Sequence, residues 1–337
     1  MNPPATAVPA APSTIQVHSF LRPGEERTLA EDVLDGLTRP FKELPPKHFY
    51  DTRGAELFDQ ICELPEYYPT RAERSILVLH AAQIAQLTGA GEVVELGSGT
   101  AEKTRVLLSA LAAAGRLRRY VPIDVTEAMV VRSAQDLTTL FGDLSVHGIV
   151  GDFERHLAHV PRAESEPRIV AFLGGTIGNF TPGARRRFLR QVARLLRPGV
   201  DHLLLGTDLV KDPAILEAAY DDAAGVTADF NRNVLRVINR ELGADFEPEA
   251  FEHVAFFDRE REWIEMRLRA SRRMRVTIPA IGLEVDFAAR EELRTEISAK
   301  FTPDRLREDL GAAGLELTKI LTDPAGQFAL SLSTPVA

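Results

Sequence analysis

The sequence predicts an α/β fold built on a parallel, doubly wound sheet, and three observations carry that reading. From about Glu92 onward, short apolar strand patterns alternate with helical ones, as crossover-connected parallel strands do. The segment Arg168–Leu173 (RIVAFL) is short and apolar, which suits a strand buried on both faces. The strands run into loops bearing glycine or aspartate, where open α/β sheets bind ligands.

Taken in order, the first seventeen residues (MNPPATAVPAAPSTIQV) carry no charged side chain, and prolines interrupt any apolar run. They lack the basic start of a signal peptide, so residues 1–18 are expected to be a disordered leader. Val93–Leu96 reads as the first sheet strand and Thr104–Ala114 as its helix. Tyr120–Val125 and Ser145–Val150 are the next strands, the latter followed by Gly151-Asp152-Phe153. Arg168–Leu173 is the fourth strand. A helix over Gly183–Leu196 is closed by Pro198-Gly199, and Leu203–Leu205, running to Thr207-Asp208, is the fifth strand.

The pattern then changes. Pro213–Leu242 reads as mostly helical, and Trp263–Phe287 as strands separated by charged turns. A helix over Thr302–Ala313 precedes Leu315–Thr322 and Phe328–Ser333, which flank Asp323-Pro324-Ala325-Gly326 as an antiparallel hairpin. Residues 210–300 therefore read as an insertion before the last strands. The expected division is a discontinuous α+β domain (19–71 and 210–300) and a sheet-based core (72–209 and 301–337).

The 337 residues carry a formal charge of −9, without the concentrated positive footprint that nucleic acid requires. The single cysteine, Cys62, excludes an intrachain disulfide and fits a reducing cytoplasm. The charge-free apolar stretch Ile169–Ala184 is too short and too polar to span a bilayer. Nothing in the sequence demands an interface, so a monomer is expected.

The loop Val94–Thr104 (VELGSGTAEKT) lies one residue from a P-loop, with Glu102 where the second glycine belongs. A carboxylate there repels phosphates, and it also takes the third position of a dinucleotide fingerprint, where close packing reserves Gly or Ala. S-adenosylmethionine carries no phosphate, so an acidic first helical turn is harmless to it. Asp124, ending the second strand, is placed for ribose hydroxyls, and Asp152-Phe153, after the third, for adenine. Singly, each has a plain structural reading: an Asp there caps a helix, and a Phe packs in a core. Together, at successive strand ends on one sheet edge, they favour a ligand.

Several long blocks resemble one family. FYDTRGAELFDQICELPEYYPTRAE (49–73), VELGSGTAEKT, GDFERHL (151–157), FLGGTIGNFTP (172–182), LLLGTDLVKD (203–212), AYDDAAGVTADFNRNVL (219–235) and LEVDFAAREELRTEISAKF (283–301) look like the histidine Nα-methyltransferases of ergothioneine biosynthesis. The likeness covers nearly everything after residue 35. It implies a class I, Rossmann-like methyltransferase core with a seven-stranded, mostly parallel sheet ending in an antiparallel hairpin, and a second domain that closes over the amino acid. It also implies three methyl transfers from S-adenosylmethionine to the α-amine of L-histidine, giving hercynine. Gly97, Lys103, Asp124, Asp152 and Phe153 stand at the family's S-adenosylmethionine positions. Asn179 and Tyr220 stand at those that hold the substrate carboxylate, and Tyr67, Glu296 and Ser298 at those around the imidazole, with Ile297 between the last two. Tyr50 matches the aromatic that faces the reacting amine. Gly175 and Ala299 depart from the pattern, which has Ser and Cys there.

The residues are consistent with that chemistry. RTEISAKF alternates with period two, placing Arg294, Glu296, Ser298 and Lys300 on one face. On pattern alone this reads as a half-buried strand with a polar solvated face. An imidazole offers one donor and one acceptor, which a carboxylate beside a hydroxyl matches. Asn179 reads equally as a left-handed turn residue and as a ligand group. Tyr67 and Tyr68, between Pro65 and Pro69, belong to a rigid loop. The α-amine must be neutral to attack, with its proton leaving to water or to Tyr50. No metal is required, and His156 and His159 read as helix-surface residues. Two rivals remain at this level: a relative acting on another amino acid, such as tryptophan, and a non-catalytic ligand sensor.

Overall fold

The computed structural model describes residues 14–21, 28–163 and 165–336. Its strands in chain order are β1 (Ile15–Ser19), β2 (Lys42–Glu43), β3 (Glu92–Leu96), β4 (Arg119–Asp124), β5 (Ser145–Val150), β6 (Arg168–Phe172) and β7 (His202–Asp208). They continue with β8 (Phe251–Asp258), β9 (Trp263–Ala270), β10 (Met274–Ile278), β11 (Leu283–Phe287), β12 (Glu292–Ala299), β13 (Leu315–Thr322) and β14 (Phe328–Pro335).

Eight of these form one sheet in the order β1-β5-β4-β3-β6-β7-β14-β13. Strands β3 and β6 are buried at every position because helices cover both faces. The chain winds outward from β3 toward β5 on one side and through β6 to β7 on the other, all in parallel. The order reverses between β3 and β6, and the diverging loops there leave a crevice at the carboxyl ends of the strands. The terminal hairpin closes the other edge, with β14 antiparallel to both β7 and β13.

The sheet has one strand more than the expected seven. Ile15–Ser19 lies parallel to β5 at the edge, so the leader expected over 1–18 gives way to ordered strand from Ile15. Residues 1–13 lie outside the described residues. A five-residue strand after a proline-rich stretch has little intrinsic signal; its partner, the free backbone edge of β5, is set by the tertiary fold.

A second, four-stranded sheet has the order β2-β12-β9-β8, with β10 and β11 as a separate ribbon. Strand β8, not read from the sequence, pairs with β9 along its whole length. The helix Val226–Leu242 buries Phe230, Val234, Leu235 and Ile238 along one face, packing on this sheet and on the helix Thr52–Glu63. Two backbone crossings stitch the sheets together. Phe301 N–H donates to Asp208 O at 2.8 Å, and Val210 N–H donates to Phe301 O at 3.0 Å. Among the described residues no helix is long and apolar enough to cross a membrane.

Candidate active site

The loop after β3 is bent by three left-handed residues, Gly97 (φ 71°), Gly99 (φ 48°) and Ala101 (φ 55°). At Gly97 the requirement comes from the positive φ; a Cβ there would make only an ordinary contact, 3.5 Å from the Phe153 ring. Asp124 sits across from the loop: Oδ2 accepts Gly99 N–H at 2.9 Å and Oδ1 accepts Thr126 N–H at 3.0 Å. Each oxygen keeps a further lone pair for a ligand hydroxyl. Asp152 caps the short helix Phe153–His156 through Glu154 N–H at 2.8 Å, so its structural and ligand readings are compatible. Phe153 is held edge-on by Phe172 and Phe188, with centroids at 5.2 and 5.8 Å.

Lys103 is not a free cation. It pairs with Glu73, fully buried on the helix Pro69–Thr88. Burial opposes the ammonium charge, but Glu73 outweighs it and raises the Lys103 pKa. Glu73 also accepts Gly174 N–H at 2.7 Å, tying the loop after β6 to that helix. A Cβ at Gly206 would stand 2.3 Å from the Glu73 carboxylate, so β7 needs glycine there. Below the loop, Glu95 bonds Thr104 and Tyr120, and burial pushes its carboxyl up to about 7. The crevice thus offers backbone exposed by glycine, an acid with free lone pairs, an aromatic ring and a paired lysine. That donor set fits S-adenosylmethionine, whose carboxylate, ribose hydroxyls and adenine each have a matching partner.

The second half of the site is aromatic. Tyr67 meets Tyr220 edge-on at 6.3 Å and Phe58 at 6.2 Å; Tyr50 meets Phe58 and Phe230, each at 5.6 Å. Tyr50 follows the turn Pro46–Phe49, and its neighbour Asp51 is clamped by Gly54 N–H (2.8 Å), Asn233 Nδ2 (2.7 Å) and Arg240 (2.8 Å). Half of the Tyr50 surface is accessible, yet the protein around it and the nearby Glu296 charge push its phenol well above the ordinary range.

Asn179 ends the single turn Thr176–Asn179, and Gly178 in that turn lies flat on β12: a Cβ there would stand 2.9 Å from Ala299 O. Among the described residues nothing bonds the Asn179 amide or the Glu296 carboxylate. Burial raises the Glu296 carboxyl to about 7, against the opposing pull of Lys300. A cavity of about 260 Å³ reaches Asn179, Glu296 and Ile297 from the side of Asp35, Arg39 and Arg294. Its wall does not include Tyr67, Tyr220 or Ser298, so it borders the aromatic cluster from outside.

Strand β12 departs from strict alternation. A bulge lies between Arg294, opposite Arg267, and Glu296, opposite Met266. Arg267 and Met266 are neighbours and point to opposite faces, so Arg294 leaves the face of Glu296. Arg294 instead pairs with Glu43 and with Glu265 at 3.5 Å. Ile297, opposite Glu265, also turns away from Glu296 and Ser298 and packs in an apolar cluster with Trp263 and Phe301. His156, read as a surface residue, is buried, and its Nδ1 accepts Asp152 N–H at 3.0 Å, which satisfies that ring nitrogen away from water.

Three residues without an assigned role in the sequence reading lie in the site. Lys300 is fully buried and bonds Asp208 (2.9 Å), Tyr220 OH (3.0 Å) and Ser298 Oγ (3.0 Å). Asp208 also accepts from Lys211 (2.6 Å) and Tyr68 OH (2.8 Å). Glu73 is the third. Each had a faint signal: Lys300 lies two residues past Ser298, Asp208 ends a strand as Asp124 does, and Glu73 closes the block ending in TRAE.

Residues 29–335 match the model of a family described as histidine-specific, S-adenosylmethionine-dependent methyltransferases. The chain is 54% identical over 305 residues to the histidine Nα-methyltransferase of Mycobacterium tuberculosis, covering 90% of this chain and 94% of that protein. It is equally 54% identical to the enzyme of that name from Mycolicibacterium smegmatis over 306 residues, with the same shares covered. A more distant relative, the L-tryptophan methyltransferase of Psilocybe serbica, is 29% identical over 91% of this chain and 93% of its own. The chain belongs to the histidine-specific, S-adenosylmethionine-dependent methyltransferase family.

Proposed function

We infer that this protein methylates the α-amino group of L-histidine, in three transfers that give hercynine, the first step of ergothioneine biosynthesis. The observation that carries the reading is the inner face of β12. Glu296, an acceptor when ionised, and Ser298, a hydroxyl, stand two residues apart there, beside Tyr220 and the unbonded Asn179. A neutral imidazole presents one N–H and one bare nitrogen, the complement of that pair. An indole has no acceptor nitrogen, so tryptophan would leave one polar group unpaired. The two mycobacterial relatives support the same substrate.

Bound S-adenosylmethionine supplies the electrophilic methyl carbon of its sulfonium. The chain's own residues position and shield. Gly97, Asp124, Asp152 and Phe153 hold the nucleoside part, and Lys103, fixed by Glu73, faces the methionine carboxylate. Asn179 holds the histidine carboxylate with Tyr220 lining the pocket beside it, while Tyr67, Glu296 and Ser298 surround the ring; Ile297 contributes backbone only. This anchoring at both ends points the amine lone pair, and positioning supplies most of the rate of an in-line displacement. The amine proton leaves to water or to Tyr50, which faces the amine. The rings of Tyr50 and Tyr67 stabilise the final quaternary cation through their faces. We take the protein to act as a cytoplasmic monomer on this small molecule, without nucleic acid, membrane or metal.

Mass spectrometry after incubation with S-adenosylmethionine and each of the twenty amino acids separately tests this. Mono-, di- and trimethylated histidine alone is expected. Methylation of another amino acid instead would overturn the assignment of Glu296 and Ser298. Cofactor binding without product from any of them would favour the sensor reading.

A further inference from the structure

The Lys300 ammonium has three N–H donors, and the structure gives it three acceptors: Asp208 Oδ2 at 2.9 Å, Tyr220 OH at 3.0 Å and Ser298 Oγ at 3.0 Å. No fourth bond is open to it, and none of its surface is accessible. It therefore cannot touch a ligand directly. It also lies 4.6 Å from the centroid of the Tyr220 ring, which adds a cation–π attraction and fixes it further.

The two hydroxyls are 2.8 Å apart. Each already accepts a proton from Lys300, and between them they carry two protons. One proton lies in the bond that joins them. The other has no partner among the described residues and is left to meet a ligand. A buried ammonium behind the pair thus forces it to meet the ligand as a donor. Two residues away on the same face, Glu296 has no bonded partner among the described residues and, when ionised, can only accept.

We propose that Lys300 is a specificity-determining residue that acts through Tyr220 and Ser298, holding Tyr220 as donor to Ser298 and Ser298 as donor to the ligand, so that the pocket demands a ring with a bare acceptor nitrogen opposite an N–H. The inference rests on the histidine reading above and adds the origin of ring selectivity. The site selects the neutral imidazole, one tautomer of it, and rejects rings whose heteroatoms only donate. Without Lys300 the two hydroxyls can reverse direction, and the demand for an acceptor disappears.

Isothermal titration in the presence of S-adenosylhomocysteine, with three ligands, tests this. The ligands are histidine, a pyrrolylalanine that keeps N–H but has C–H in place of the acceptor, and thiazol-4-ylalanine, which keeps the acceptor but has no N–H. In the wild type both analogues are expected to bind at least tenfold more weakly than histidine. In Lys300→Met the pyrrolyl penalty should fall below threefold while the thiazolyl penalty, set by Glu296, stays. Lys300→Arg should retain both. A purely structural role for Lys300 would weaken all three ligands together and leave the ratios unchanged, which overturns the proposal. If Lys300→Met does not fold, the wild type decides: pyrrolylalanine binding within threefold of histidine overturns it as well. Failure of the wild type to bind histidine at all would instead refute the functional reading.

Discussion

The proposed cofactor crevice and the proposed substrate pocket lie next to each other, and each has a lysine paired with a buried carboxylate behind it. Glu73–Lys103 stands behind the first and Asp208–Lys300 behind the second. They are assembled differently. The crevice takes its groups from consecutive strand ends of one sheet, so each lies within a few residues of a glycine turn or a strand terminus. The pocket takes Tyr50, Tyr67, Asn179, Tyr220 and β12 from five separate stretches, brought together only where the two sheets are joined. A locally encoded site tolerates variation elsewhere in the chain, whereas a site built from distant segments depends on the joint that holds them.

Four variants sharpen or break that comparison. The largest effect is expected from Glu73→Ala, which leaves Lys103 without its partner and Gly174 N–H without an acceptor. Breaking such a pair costs about 3–5 kcal/mol, so chemical denaturation should show a large loss of stability together with weaker S-adenosylhomocysteine binding. Unchanged stability would mean that the pair is not what braces the crevice.

Asp124→Ala comes next. Hydrogen bonds to a charged group contribute about 1.5–3 kcal/mol, so titration should show S-adenosylhomocysteine affinity falling by one to two orders of magnitude. Histidine affinity measured with saturating S-adenosylhomocysteine should hardly move. Equal losses for both ligands would blur the two regions into one.

Gly178→Ala tests the joint from the other side. Its Cβ would press on the Ala299 carbonyl at 2.9 Å, and overpacking of this kind costs about 1–3 kcal/mol. The turn carrying Asn179 should lift from β12, raising the KM for histidine about tenfold with cofactor affinity intact. A variant with wild-type KM would show that Asn179 is not held by this contact.

The smallest effect is on stability and depends on pH. The Glu296 carboxyl titrates at about 7 in the folded protein against an ordinary 4.5. Between those values the folded state binds more proton than the unfolded chain, so stability falls as pH rises through that window and stays lower above it. Glu296→Gln removes the penalty. Its melting temperature should exceed the wild type's by a few degrees at pH 8 and match it at pH 4, while histidine affinity drops. A variant no more stable at pH 8 would mean that Glu296 is solvated rather than held in the pocket.

The sheet was legible because buried parallel strands are near-continuous apolar runs: Ile169–Phe172, and Val93–Leu96 broken only by Glu95, need no tertiary partner to be recognised. The crevice was legible for a related reason, since a glycine in a strained turn and an acid at a strand end are local demands of backbone geometry. β1 and β8 were not, because one is a short edge strand and the other carries a mixed pattern over half-buried positions.

In the pocket, residue types were readable from the family likeness, but the facing of β12 was not. A period of two places Arg294 with Glu296, and only a bulge, invisible in the residue pattern, separates them. The sequence by itself determined seven of the eight strands of the large sheet, where it turns and which local groups line its edge, because those follow from burial and backbone sterics within a few residues. Only the tertiary structure decided that Lys300, Asp208 and Glu73 stand behind the site. A buried charge is stable only where a distant segment brings its partner within hydrogen-bond reach, and that distance is set by packing, not by order along the chain.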